Sequence, residues 1–496
     1  MFEVMKITKK MLCALLCLVT VLLPLAGCGA SSDNTPAGND TAAAVEETET
    51  AAAETTKETA VADVPDETYN GYKFRMLQRN HSSMATNKCW AFTVESEDGE
   101  TINDAMYKLR ILIEDRFDIS VSQILADDPQ STASSAILAG DDSFDALQTL
   151  QSQAYGLAKN HMLVPLNEVP YIDLDAKWWN RNLSKELTIK GNLYYNTGDI
   201  TLADDILAFC IFFNKMMWKN YELESPYEMV ENGEWTLERL GSMVTVANKD
   251  LNGDGVLDSE DQWGMQSELA AGNYLYFGSG EYMVTNTGDS FKITLDSERS
   301  VSMVEKVMSL LCSDDIMIAD HIVPKDGSSP FAYAKTMFMT DRLMLRTSTF
   351  EPLLALRDMD ADYGVLPIPK YDEAQEVYRS GANRSIYVVG VPVTQTDLER
   401  TGVILESYAA ESRNILNPAF YDVALQGKVL RDNDSEAMLD IIFNNQVFDI
   451  GHMFDIGGFS LILSDMINSG SNTLSSRLAS IRSSAEAALE KALADF

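Results

Sequence analysis

TINDAMYKLRILIEDRF, residues 101–117, sets Ile102, Ala105, Met106, Leu109, Leu112 and Ile113 three and four residues apart. Residues at those separations share one helical face, so the stretch predicts an amphipathic helix. KFRML (73–77) before it and Ile119–Val121 after it read as strands. Asp145-Ala146-Leu147 follows a Gly-Asp-Asp turn and suggests another strand, as do Val365–Pro369 and Tyr387–Val391 further on. Ser475–Asp495 reads as an Ala-rich amphipathic helix. Strands and helices alternating at this rate predict an α/β fold with largely parallel sheets. No internal repeat is visible at the periods of about 20–50 residues that mark solenoids and propellers.

The folded part starts near Tyr69 and runs for roughly 430 residues, long enough to split into two domains. Before it, residues 28–68 are Ala, Thr, Glu, Ser and Asp, with ten acidic residues and one Lys. Such a stretch cannot bury enough apolar surface to offset its ordering entropy, so it is expected to be a disordered acidic tether.

Residues 1–27 hold Lys6, Lys9 and Lys10, then an uncharged apolar run from Met11 to Gly27. A basic start, an apolar segment and a small-residue end make a secretory leader. Leu25-Ala26-Gly27-Cys28 resembles the lipobox of bacterial lipoproteins. The resemblance implies that Cys28 is lipidated and that the protein is anchored on the extracellular face of the cell membrane. An ordinary leader with an incidental cysteine is the alternative. Loss of residues 1–27 removes three Lys and one Glu, taking the net charge from −37 to −39. A chain this acidic repels nucleic acid and an anionic lipid surface.

Cys13 and Cys17 leave with the leader, and Cys28 is the lipidation candidate. Cys89, Cys210 and Cys312 remain, widely spaced and without a C-x-x-C pair. They allow one disulfide plus a thiol; three buried thiols are the expectation, since free Cys behaves as a small apolar residue.

Several segments fall in a familiar order: AGDDSFDALQ (139–148), LVPLNEVPYIDLDAKWWN (163–180), NTGDITLADD (196–205), FFNK (212–215), EWTLERLGSMV (234–244), FAYAKTMFM (331–339), YGVLPIPKYDEAQEVY (363–378), LERTGVILESYAAES (398–412) and GKVLRDNDSEAMLDII (427–442). Their order resembles extracellular solute-binding protein family 1, in its larger lipid-anchored form, over nearly all of the folded part. The resemblance implies a two-lobed periplasmic-binding-protein-like fold of type II. In that fold discontinuous lobes meet at a hinge around a central cleft. Carried onto this chain, lobe one is 70–198 plus 335–395 and lobe two is 199–334 plus 396–496. It also implies a monomer that captures a small molecule, mostly a mono- or oligosaccharide, and delivers it to an ABC permease. No catalytic residues are implied.

A sugar cleft needs flat aromatic faces and planar polar groups. Trp90, in a loop-like stretch after the first strand, and Trp178 and Trp179, after a surface-like Asp-Ala-Lys, are candidates. Tyr274 and Tyr276 form an aromatic cluster of lobe two, Asp199 sits at the expected first crossover, and Asn383 and Arg384 precede a strand. Aromatic residues dominate cores, so packing is the competing role for each ring. A surface ion pair competes for Asp199 and Arg384. Trp235 and Trp263 are expected in the core.

DLNGDGVLDSED, residues 250–261, follows the D-x-[DN]-x-[DN]-G pattern of a calcium loop. Asp250, Asn252 and Asp254 would give side-chain oxygens, Val256 its carbonyl, and Asp258 and Asp261 further carboxylates. Asp261 stands where the usual loop has a bidentate Glu, and its shorter side chain reaches less far. The expectation is a structural calcium; a solvated acidic turn is the alternative.

Two other function classes compete. A polysaccharide-processing enzyme could use paired carboxylates, but Asp and Glu are too abundant to discriminate, and neither H-E-x-x-H nor G-x-S-x-G occurs. A non-transport sensor or adhesion lipoprotein could use the same fold.

Overall fold

A computed structural model of the chain describes residues 59–81, 90–351, 362–426 and 433–496. The leader, Cys28, Cys89 and the tether up to residue 58 lie outside the described residues. Besides the hairpin strands Val284–Asn286 and Phe291–Ile293, the strands in chain order are β1 (Tyr72–Arg79), β2 (Ile119–Ala126), β3 (Ala146–Leu150), β4 (Leu163–Val164), β5 (Tyr195–Asn196), β6 (Phe209–Asn214), β7 (Trp263–Ser267), β8 (Ile316–Ile318), β9 (Leu343–Thr349), β10 (Tyr363–Leu366), β11 (Ser380–Gly381), β12 (Tyr387–Pro392) and β13 (Gln446–Val447). Five helices position the sites: α1 (Thr101–Phe117), α2 (Gln151–Ala158), α3 (Arg181–Leu187), α4 (Leu398–Gln426) and α5 (Asn433–Asn444).

Helix α1 spans the residues that the spacing predicts, ending where Asp118 turns left-handed at φ 48°. Ile102, Ala105, Met106, Leu109 and Ile113 are buried; Leu112, on the flank of the stripe, is exposed. The buried face joins Phe74, Met76, Val121 and Val389 of sheet one and Tyr408 of α4 in one apolar layer. Sheet one runs β2-β1-β3-β12-β4, with β5 also paired to β12. Strands β1, β2 and β3 are parallel, and β12 returns antiparallel between β3 and the short β4 and β5. Sheet two runs β8-β7-β9-β6-β10, with β7, β8 and β9 parallel and β6 antiparallel to β9 and β10. Its strands read as continuous apolar runs such as FCIFFN, the mark of strands buried on both faces.

Three expectations are corrected here. Leu343–Thr349 and Tyr363–Leu366, expected in lobe one, are strands of sheet two, because both edges of β6 are filled by them. The first half of α4, expected in lobe two, packs on α1 over sheet one. Pro418 lies inside α4, and past it Phe420 and Tyr421 meet Phe443 of α5, so this helix links the two lobes. The tether, expected to run to residue 68, is docked from residue 59 onward: Asn414 accepts from the Ala60 N–H at 2.8 Å and donates to its carbonyl at 2.8 Å. Ala60 and Ala62 pack against Ala410, a contact that short side chains allow.

Trp235 and Trp263 are buried, as expected. Cys210 is buried, but Cys312 is exposed, and both are free thiols.

Candidate functional site

The strand directions decide where a ligand crevice lies. β3 and β5 both run antiparallel to β12, so Leu150 and Asn196 end on the same edge of sheet one. The chain then crosses to Phe209, the first residue of β6, which sits opposite Thr349, the last residue of β9. A second crossover runs from Gly381 of β11 to Tyr387 of β12, opposite Leu150. The carboxyl edges of the two sheets are therefore joined to each other, and open α/β sheets bind ligands outside those edges.

On sheet one, His81 follows β1 and its ring meets Tyr387 edge-on at 5.0 Å; Trp90 lies 5.6 Å from Tyr387. Burial, with Arg79 nearby, pushes the His81 imidazole down to about 4 and keeps it neutral. Gln151 opens α2 and donates to the Tyr195 hydroxyl at 2.9 Å, while its own carbonyl oxygen has no partner. The side-chain carbonyl of buried Gln148 has none either. Unpartnered buried polar atoms are rare in finished interiors.

On sheet two, Arg346 of β9 donates through Nε to Gln266 at 3.2 Å, and its Nη1 has no partner. Burial pulls this guanidinium down to about 10 against the pull of Glu268. Burial, then Asp320, pushes Glu268 up to about 7, with Arg346 opposing. Tyr274 stacks on Phe209, centroids 3.4 Å apart and planes 16° apart, so this candidate is a buried ring at the crossover's end. Asn273 donates to the Ser460 carbonyl at 2.7 Å and leaves its own oxygen unpartnered. Arg384, in the second crossover, lies 3.6 Å from Asp455 and has an unpartnered Nε. Asn383 caps the same turn by accepting from the Ser385 N–H at 2.8 Å. Burial and Arg384 push His452 down to about 3, and neither ring nitrogen has a partner. Tyr276, by contrast, is a core residue: its hydroxyl is shared with Ser300 and the Tyr282 carbonyl.

Trp178 and Trp179 do not join this crevice group. Their indole N–H groups both donate to buried Glu406 of α4, at 2.9 and 2.7 Å. Burial pushes Glu406 up to about 7 despite these donors. Gly198 lies against their backbone at φ 120°; a Cβ there would stand 2.6 Å from the Trp178 carbonyl. Trp179 and Asp199 instead line a separate pocket of about 500 Å³ at the first crossover. Asp199 accepts from Arg413 at 2.7 Å and Asn417 at 2.5 Å, the ion pair weighed against its ligand role.

In the acidic loop, Asp250 accepts from the Gly253 and Gly255 N–H groups at 2.6 and 2.8 Å, and both glycines have positive φ. Asp254 accepts from Val256, and Asp258 from Glu260. Asp261 is buried and accepts from Leu251 and Asp258. Burial works against its ionisation, but these backbone donors and Asn252 hold its carboxyl below the usual range. The loop has the turns and the oxygen donors of a calcium loop. Among the described residues, however, no three carboxylate, His or Cys side chains are gathered at one point.

The sequence signals for Gln148, Gln151, Arg346 and Glu406 were amide or charged residues among the apolar ones of a strand or helix (ALQTLQ, LMLRTST, VILESYAA). Such a residue is worth marking, because a buried polar group needs a partner.

No family model matches the chain, and no curated protein matches it. Among solved structures, UspC of M. tuberculosis is similar at a TM-score of 0.55 and 15% identity, over 84% of this chain and 100% of its own. A cyclo/maltodextrin-binding protein complexed with maltotetraose is similar at 0.54 and 12% identity, over 86% of this chain and 97% of its own. The chain has the two-lobed periplasmic-binding-protein fold.

Proposed function

We propose that the protein captures a carbohydrate, of oligosaccharide size or smaller, in the crevice between the two carboxyl edges and delivers it to an ABC permease. The observation that supports this best is the set of buried, unpartnered polar atoms at those edges: Gln151, Asn273, Arg346, Arg384 and His452. With the rings of Trp90, Tyr387 and Tyr274 beside them, they match what sugar hydroxyls and sugar C–H faces need. The solved cyclo/maltodextrin-binding protein of the same fold carries maltotetraose. In this reading the protein is a binding protein, not an enzyme. It works as a monomer held by lipidated Cys28 on the extracellular face of the membrane, and intact-mass analysis of the membrane-extracted chain tests the lipid.

Thermal unfolding against a panel of oligosaccharides, monosaccharides and peptides tests the function. A bound ligand at 100 times its Kd adds about 2.7 kcal/mol. A shift for one sugar class, with the sugar recovered intact, is the expected result; a shift only for peptides, or a cleaved sugar, overturns it.

Calcium at 250–261 belongs to the same proposal. Asp250, Asn252, Asp254, the Val256 carbonyl, Asp258 and Asp261 would hold it, since a carboxylate oxygen that accepts an N–H can still ligate a cation. Calcium is expected to raise the melting temperature over chelator-treated protein, and Asp250→Ala to abolish that difference.

A further inference from the structure

The pocket at the first crossover is a different place from the crevice, and its lining is layered by charge. Lys177, Arg181 and Lys185 are exposed at its mouth. Asp199, Asp204 and Asp205 are drawn inward below them. Among these inner acids Arg413 is the cation that pairs, and it is engaged with Asp199. Asp204 is 4% exposed; one oxygen accepts from Asn180 at 3.1 Å, and Oδ1 makes no well-formed hydrogen bond, although the Thr197 hydroxyl and the Asp204 and Asp205 N–H groups are close enough to favour the charged carboxylate. The carbonyl oxygen of Asn417, whose amide serves Asp199, is unpartnered.

Both atoms are acceptors. With Lys177, Arg181 and Lys185 at the mouth and Arg413 engaged with Asp199, these inner acceptors suit a small group rich in donors and positive in charge. An anion does not suit the pocket, since the inner wall is acidic. A primary ammonium brings three N–H donors and one positive charge. We propose that this pocket binds a small primary-ammonium compound, with its nitrogen seated between Asp204, Asp205 and Asn417.

The inner acids are in the condition expected of such a site without its cation. Burial pushes Asp199 up to about 6, with Arg413 opposing, and raises Asp204 and Asp205 as well. The walls come from α3, from α4, whose first half packs on α1 over sheet one, and from Asp440 and Phe443 of α5. A ligand seated here would touch both lobes away from the crevice.

Isothermal titration of the full chain with putrescine tests the proposal, with tetramethylammonium and sorbitol as parallel titrants. Putrescine is expected to bind saturably. Tetramethylammonium, a cation without N–H donors, and sorbitol, a donor without charge, are expected not to bind. A hydrogen bond to a charged group is worth about 1.5–3 kcal/mol, so Asp204→Asn should weaken putrescine roughly tenfold or more. Asp205→Asn, at a less buried position, should weaken it in the same direction and serves if Asp204→Asn does not fold. Absence of putrescine binding, equal binding of sorbitol or tetramethylammonium, or full affinity in the folded variants each overturns the assignment.

Discussion

The two carboxyl edges that face the crevice are built from different chemistry. The sheet-one edge is mostly neutral: amides from Gln148 and Gln151, an imidazole held uncharged, and the rings of Trp90 and Tyr387, with the Arg79 guanidinium beside His81 and Tyr387. The sheet-two edge holds the charge: Glu268, Arg346, Arg384 and Asp455. One edge can offer flat faces and neutral hydrogen bonds; the other can orient a ligand by strong, charge-assisted ones.

The difference is best attacked from the charged side. Arg346→Met is expected to weaken the ligand found by the panel about a hundredfold, since truncating a buried hydrogen-bonded charge costs about 2–5 kcal/mol of binding. Its urea midpoint should fall as well, because Glu268 is left buried without its cation. Wild-type affinity in Arg346→Met would mean that the charged edge is structural.

The pH dependence comes next in size. Glu268, Glu406 and Asp449 are all raised by burial to about 7. A carboxyl raised in the fold contributes stability that is full below its ordinary value and is lost as pH climbs through the folded one. His81 and His452, pushed down, act oppositely, losing stability as pH falls below about 6.5. Above that pH the carboxyls act alone, so stability should fall by about 2 kcal/mol between pH 6 and 8. Flat urea midpoints across that range would contradict it.

Gln151→Leu on the neutral edge should weaken the ligand roughly tenfold, the value of one neutral hydrogen bond. A larger loss here than in Arg346→Met would reverse the ranking of the edges. Smallest of all, Asn414→Ala touches neither edge; it should leave affinity unchanged, lower global stability by about 1 kcal/mol or less, and speed proteolysis at residues 59–64.

The α/β class, helix 101–117 and the strand at 387–392 were legible in the sequence because periodicity reports a local burial pattern. Lobe membership was not, because strand partners are chosen in three dimensions: LMLRTST carries nothing local that says it will pair with FCIFFN. Among candidate site residues, Trp90, Tyr274 and Arg384 fall by the crevice edges, whereas Trp178 and Trp179 point their indoles at Glu406, 227 residues or more away in the chain. A residue's type marks it as suited to a site, but only the fold decides what it faces.

Asn414's grip on Ala60 has a consequence for geometry at the membrane. In the lipid-anchored reading proposed above, the span from Cys28 to the docked chain ends at Ala60, nine residues before the Tyr69 that sequence alone suggested. At about 3.3–3.6 Å per extended residue, its greatest reach shrinks by roughly 30 Å. A shorter leash confines the protein to a smaller volume above the bilayer and raises its effective concentration at a permease in the same membrane. It also moors that span on α4, the helix that links the lobes.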